Sequence, residues 1–86
     1  MNTEDSKRVL IADDEPLARQ RIQRLLEALP DYRVCGEAVD GNDTLRKVAE
    51  LEPDILLLDI RMPGMDGMEA ADQLSKLQNP PAVIFC

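Results

Sequence analysis

Eighty-six residues, 44% of them hydrophobic and 31% charged, suit one soluble globular domain with a modest core and exclude a disordered tail. Seventeen acidic against ten basic residues leave a net charge of −7, and a single Tyr and a single Phe offer no stacking platforms, so this segment itself is not expected to bind nucleic acid. No apolar run is long enough to span a bilayer, and the opening MNTEDSKR is polar where a secretion signal would be apolar, so a cytoplasmic location is expected.

Taken in chain order, short apolar runs alternate with helical patterns, the sequence form of β/α units around a parallel sheet. Lys7 to Ala12 reads as a first strand. From Glu15 the period changes, and Ala18, Ile22, Leu25, Leu26 and Leu29 fall on one helix face, with Pro16 in the first turn and Pro30 and Asp31 as the stop. Tyr32 to Ala38 reads as an edge strand, because Gly36 and Glu37 suit an edge better than a centre. Asp40 to Asp43 supplies the turn and cap of a second helix, with Leu45, Val48 and Ala49 on its face and its end before Pro53.

Ile55 to Asp59, ILLLD, is apolar on both faces and belongs in the middle of the sheet between two helical layers. Asp66 is placed to cap a third helix with Ala70, Leu74 and Leu77 on its buried stripe, ended by Gln78 to Pro81. Ala82 to Cys86 reads as a fourth strand of the buried type. Cys35 and Cys86 stand far apart without metal-knuckle or redox spacing and are expected as buried free thiols. The chain has no His.

In a parallel β/α sheet, the residues just after each strand gather at one edge, where ligands bind at the switch in strand order. Asp13 and Asp14 follow the first strand and Asp59 ends the third. If those strands are neighbours, as in the 2-1-3-4 order of a flavodoxin-like sheet, three carboxylates share one pocket. Their repulsion is relieved by a raised pKa or by a bound cation. An oxygen-only donor set without His or Cys favours Mg²⁺ or Mn²⁺ over Zn²⁺, and the backbone carbonyl of Arg61 is placed to add an oxygen. A carboxylate at the end of a rigid strand beside such a cation suits in-line attack on a phosphoryl group, leaving a labile acyl phosphate on Asp59.

Plainer roles compete for each residue. Asp14 alone reads as an N-terminal helix charge or cap before Pro16, Asp59 alone as a turn starter, Met62-Pro63-Gly64 as a turn and Asp66 as a cap. Arg19, Arg21 and Arg24 read as a solvated helix face, and the apolar stripes of all three helices as core. A phosphohydrolase of the haloacid-dehalogenase kind wants a second Asp two residues after its nucleophile and Thr or Val at the next odd position, where Arg61 and Pro63 stand here. A nucleotide-binding domain lacks its Gly-rich loop after the first strand.

The stretches VLIADDEP, PDILLLDIRMPGMDG and PPAVIFC together closely resemble the receiver domain of bacterial two-component response regulators. DDEPLARQRIQRLL is similar to the branch whose receivers precede a LytTR DNA-binding domain. The resemblance implies that Asp59 accepts a phosphoryl group from a sensor histidine kinase or a small phosphodonor. It also implies that Asp14 binds Mg²⁺ directly and Asp13 through water, with the Arg61 carbonyl completing the protein ligands. The output it implies is transcription control, exerted by a domain outside these residues.

The family has five β/α units, and the 86 residues supply about four strands and three helices, so a truncated receiver is expected. The family's catalytic Thr or Ser after the fourth strand and Lys after the fifth have no counterpart in the chain, and Lys7, Lys47 and Lys76 are not placed to substitute. Without those residues, an alternative role is that of a partner-binding or dimerising fragment that is not phosphorylated. An apolar fourth strand at the sheet edge further implies homodimerisation, with elements exchanged between copies, or marginal stability.

Overall fold

The computed structural model describes residues 6–60, 62 and 67–85. Its elements are β1 (Lys7–Ala12), α1 (Pro16–Glu27), β2 (Tyr32–Ala38), α2 (Gly41–Leu51), β3 (Ile55–Leu58), α3 (Gly67–Leu74) and β4 (Ala82–Phe85). The four strands are parallel, as expected from the alternation, and lie in the order β2-β1-β3-β4 of the flavodoxin-like sheet that the meeting of the three acids requires. Cys86 and the proposed cap Asp66 lie outside the described residues, as do Arg61, Pro63 and Gly64. Among the described residues, no helix is long and apolar enough to cross a membrane.

The core lies on the sheet face covered by α2 and α3, where Leu10, Ala12, Ala38, Leu56 and Leu58 meet Val48, Ala70 and Leu74. Burying each of the larger side chains contributes about 2 kcal/mol of hydrophobic stabilisation. Met62, expected only as part of a turn, is buried in this cluster and anchors the chain after Asp59. α2 begins as its sequence dictates: the Asp40 carboxylate accepts from the Asp43 N–H at 2.7 Å. It ends with Glu52 in the left-handed region at φ 48°, its N–H on the Val48 carbonyl, just before Pro53. Its packed face includes Thr44, whose hydroxyl donates to the Asp40 carbonyl, whereas the expected Ala49 is exposed.

Several expected core positions turn out to be open. β3 is buried on one face only, through Leu56 and Leu58, while Ile55 and Leu57 are partly exposed. On that second face Val9, Ile55, Leu57 and Ile84 line an apolar groove with Leu26, Leu29 and Tyr32. β4 is not of the buried type: Ile84 and Phe85 are about half exposed, because among the described residues β4 pairs with β3 alone. Leu77 lies beyond the end of α3 and is exposed.

α1 keeps Ala18, Ile22 and Leu26 of its expected face towards the sheet but is rotated away from Leu25 and towards Arg19 and Gln23. Its partly buried residues are Ala18, Arg19, Ile22, Gln23 and Leu26, while Leu25 is exposed, and Leu29 falls after the helix. The shift brings Arg19 towards the sheet, with only 14% of its side chain exposed. Arg21 and Arg24 remain on the solvated side. Cys35 is a free thiol, half-buried rather than fully so.

Candidate functional site

The β1–β3 pairing runs in register from Val9↔Ile55 to Ala12↔Leu58 and stops where the acids begin. Beyond it, the Asp59 N–H donates to the Ala12 carbonyl at 2.9 Å, and the Asp13 N–H donates to the Ala38 carbonyl at 3.0 Å. The backbone of two acids is thus fixed by extensions of the sheet ladder rather than by loose loops. Asp13 then turns the chain, its Oδ1 accepting from the Glu15 N–H at 3.0 Å. Glu15 is the residue preceding α1, so neither Asp14 nor any other side chain caps that helix.

This architecture brings together the three acids singled out from the sequence. One carboxylate oxygen from each of Asp13, Asp14 and Asp59 lies within 4.8 Å of the others. Asp13 and Asp59 are half-buried and Asp14 is exposed, so the cluster opens to solvent. Three negative charges at such separation repel one another, and a hard cation held by oxygens offsets that repulsion. The donor set fits such an ion: carboxylates near enough for one cation to reach each, with no thiol or imidazole among the described residues of the cluster to select a softer metal.

The chain's three lysines stay out of the cluster. Lys47 reaches the Glu37 carbonyl and lies 3.3 Å from Asp43 Oδ2, Lys76 pairs with Asp72 at 3.6 Å, and Lys7 is exposed at the start of β1. Asp43 is itself a node, since it accepts from the Val39 N–H at 3.1 Å and pairs with Arg46. Burial pushes its carboxyl up, but the Val39 N–H, Arg46 and Lys47 outweigh that effect and hold it below the ordinary carboxylate value.

Arg19 corrects the expectation of a wholly solvated arginine face. Its Nε donates to Glu37 Oε1 at 2.9 Å and its Nη1 to the Asp13 carbonyl at 2.6 Å. The helix pattern concealed this role because Arg19 stands beside the apolar stripe, not on it. The only sequence signal was Glu37, an acid near the end of an otherwise mostly apolar edge strand, which needs a cationic partner when half-buried.

The sheet order, the acids after β1 and the acid after β3 define a receiver domain of the response-regulator type. The chain belongs to that family: the model of the response regulator receiver domain matches residues 9–86. It is 54% identical over 79 residues to the positive alginate biosynthesis regulatory protein of Pseudomonas aeruginosa, covering 91% of this chain and 32% of that relative. The response regulator domain of Thermotoga maritima CheB superposes with a TM-score of 0.87 at 36% identity, over 93% of this chain and 59% of that one. The signal receiver domain of NarL from Mycobacterium tuberculosis gives 0.89 at 38% identity, over 94% and 65%. The chain therefore spans about a third of that curated relative and about three fifths of the solved receivers.

Proposed function

We propose that this chain is a phosphoacceptor module of a two-component transcriptional response regulator, in which Asp59 receives the phosphoryl group. The observation that carries this reading is the meeting of Asp13, Asp14 and Asp59 within 4.8 Å at the carboxyl ends of two paired strands. Asp14, Asp13 and Asp59 would hold Mg²⁺ or Mn²⁺, with Asp14 contacting it directly and Asp13 through water as the family resemblance implies; the Arg61 carbonyl, outside the described residues, is the remaining proposed ligand. When bound, the cation neutralises charge on the incoming phosphoryl oxygens.

The chain's own contribution is position. An Asp59 carboxylate oxygen, its backbone locked to Ala12, attacks phosphorus in line. A new O–P bond forms as the bond from phosphorus to the donor's nitrogen or oxygen breaks, and the electron pair leaves with the donor. The donor is a sensor histidine kinase or a small acyl phosphate. Its approach to Asp59 passes α1, along which Leu17, Arg21 and Leu25 are exposed. Residues 1–86 act as the N-terminal part of the receiver, and control of transcription passes through a DNA-binding region outside them. Copies of the chain associate as homodimers, including by exchange of elements, with the half-exposed Ile84 and Phe85 as apolar contacts.

The test is incubation of the chain with acetyl phosphate and Mg²⁺, followed by mass spectrometry, beside Asp59→Asn. Addition of one hydroxylamine-labile phosphate to the native chain alone is the expected result. Equal labelling of both proteins would remove Asp59 from its role.

A further inference from the structure

The end of β2 grips Asp13 at both ends of its peptide backbone. The Asp13 N–H is tied directly to the Ala38 carbonyl, and the Asp13 carbonyl is tied to the neighbouring residue Glu37 through the Arg19 guanidinium. Lys47 reaches the Glu37 backbone carbonyl from α2, so this strand end is braced by side chains of two helices. Two different N–H groups of one planar guanidinium make the Arg19 contacts, a geometry that fixes direction as well as distance.

The carbonyl that Arg19 holds belongs to the peptide joining Asp13 to Asp14. Because a peptide unit is planar, the orientation of that carbonyl also sets the direction in which the Asp14 N–H and Cα leave. Rotating this plane would swing the Asp14 carboxylate relative to Asp59 without breaking a single rung of the β1–β3 ladder. Asp14 is exposed, and Arg19 supplies the restraint on the peptide that precedes it.

We infer that Arg19, braced by Glu37, is a positioning residue for the acidic cluster: it orients the Asp13–Asp14 peptide so that both carboxylates face Asp59, and cation affinity depends on it. The inference rests on the reading of the cluster as a divalent-cation site. Its sign separates it from simple electrostatics. A cation beside the cluster repels Mn²⁺, so removal of the Arg19 charge alone would tighten binding, whereas loss of orientation weakens it.

The experiment is Mn²⁺ titration followed by the electron paramagnetic resonance of the free ion, on the native chain, Arg19→Ala and Arg19→Lys, with a thermal melt of each. Arg19→Ala is expected to bind about tenfold more weakly, the usual scale for losing a residue that orients metal ligands. Arg19→Lys, with one point charge in place of two directed donors, falls between the two. The Glu15 amide resonance, which reports the bond to Asp13 Oδ1, moves in Arg19→Ala as well.

Should Arg19→Ala fail to fold, Glu37→Gln weakens the brace on the guanidinium by removing the carboxylate charge while keeping the side chain's shape. It is expected to weaken binding severalfold, and by more than Glu15→Gln, which removes an equal charge without touching Arg19. Mn²⁺ affinity equal to or tighter than native in Arg19→Ala, or equal effects of the two glutamate variants, overturns the inference. Absence of saturable Mn²⁺ binding by the native chain overturns the cation-site reading itself, and this inference with it.

Discussion

The amide of Asp59 donates to the carbonyl of Ala12 at 2.9 Å, so the ladder between the two central strands ends by joining the third acid to the residue that precedes the first. The meeting of the acids is therefore a property of the sheet and costs the fold some stability through charge repulsion. Asp14→Asn relieves part of that repulsion. In EDTA, it is expected to melt at a slightly higher temperature than the native chain. Addition of Mg²⁺ then raises the melting temperature of the native chain by mass action and that of the variant far less. A variant that gains as much as the native chain from Mg²⁺ would argue against a ligand role for Asp14.

Asp43 links the Val39 amide to Arg46 and Lys47 at the start of α2, and its side chain is only 10% exposed. Its carboxyl titrates below the ordinary value in the fold, because those donors outweigh the burial that pushes it up. A depressed folded pKa stabilises the protein above the unfolded pKa, about 3.9, and that contribution is lost as pH falls through the folded value. Asp43→Asn should therefore be less stable than native by about 1–3 kcal/mol at pH 7, the range for hydrogen bonds to a charged group. Urea denaturation at several pH values should show the difference shrinking below about pH 4. A gap that is constant from pH 7 to pH 3 contradicts the assignment.

Burial pushes the Cys35 thiol above its ordinary value, although the positive charges of Arg8 and Arg33 pull the other way. The neutral thiol is thus favoured by the fold. Its contribution to stability is complete below the unfolded pKa, about 8.5, and is lost as pH rises through the folded value. In a Cys86→Ser background, alkylation by iodoacetamide is expected to rise with pH later in the folded chain than in urea. Coincident profiles would mean that the surroundings of Cys35 do not favour the neutral form.

The β/α alternation and the acids that follow β1 and β3 were legible because both rest on short-range signals, apolar runs broken by turns and acids in the first position after a run. The strand order that brings those acids together came instead from likeness to a flavodoxin-like sheet. The packed face of α1 was not legible. Hydrophobic spacing pointed to Leu25, but the helix is rotated so that Arg19 and Gln23 share the buried side with Ala18, Ile22 and Leu26. The partner that makes burial of Arg19 favourable, Glu37, is 18 residues away and lies on another element. Periodicity within one helix carries no record of such a pair. The openness of β4 was legible only from its expected edge position and not from the run itself, since AVIF reads alike whether one or two strands flank it. Met62 was obscured by its company, a Pro and a Gly that mark a turn while the Met side chain returns to the core.

That difference between pattern and packing can be measured at two leucines. Leu56 is fully buried in the central strand, among the side chains of the α2–α3 face, while Leu25 is 65% exposed on α1. Truncation of Leu56 to Ala removes buried methyl groups and leaves a cavity that the flanking strands are too constrained to close, at a cost of about 2–5 kcal/mol. Truncation of Leu25 to Ala leaves no cavity and replaces one good helix former with a better one, so the change stays within about 0.5 kcal/mol. Guanidinium denaturation of both variants checks this, with equal slopes expected because the area exposed on unfolding barely changes. A loss at Leu25 comparable to that at Leu56 would place α1 in the orientation its hydrophobic spacing suggests, and Arg19 would then face solvent instead of Glu37.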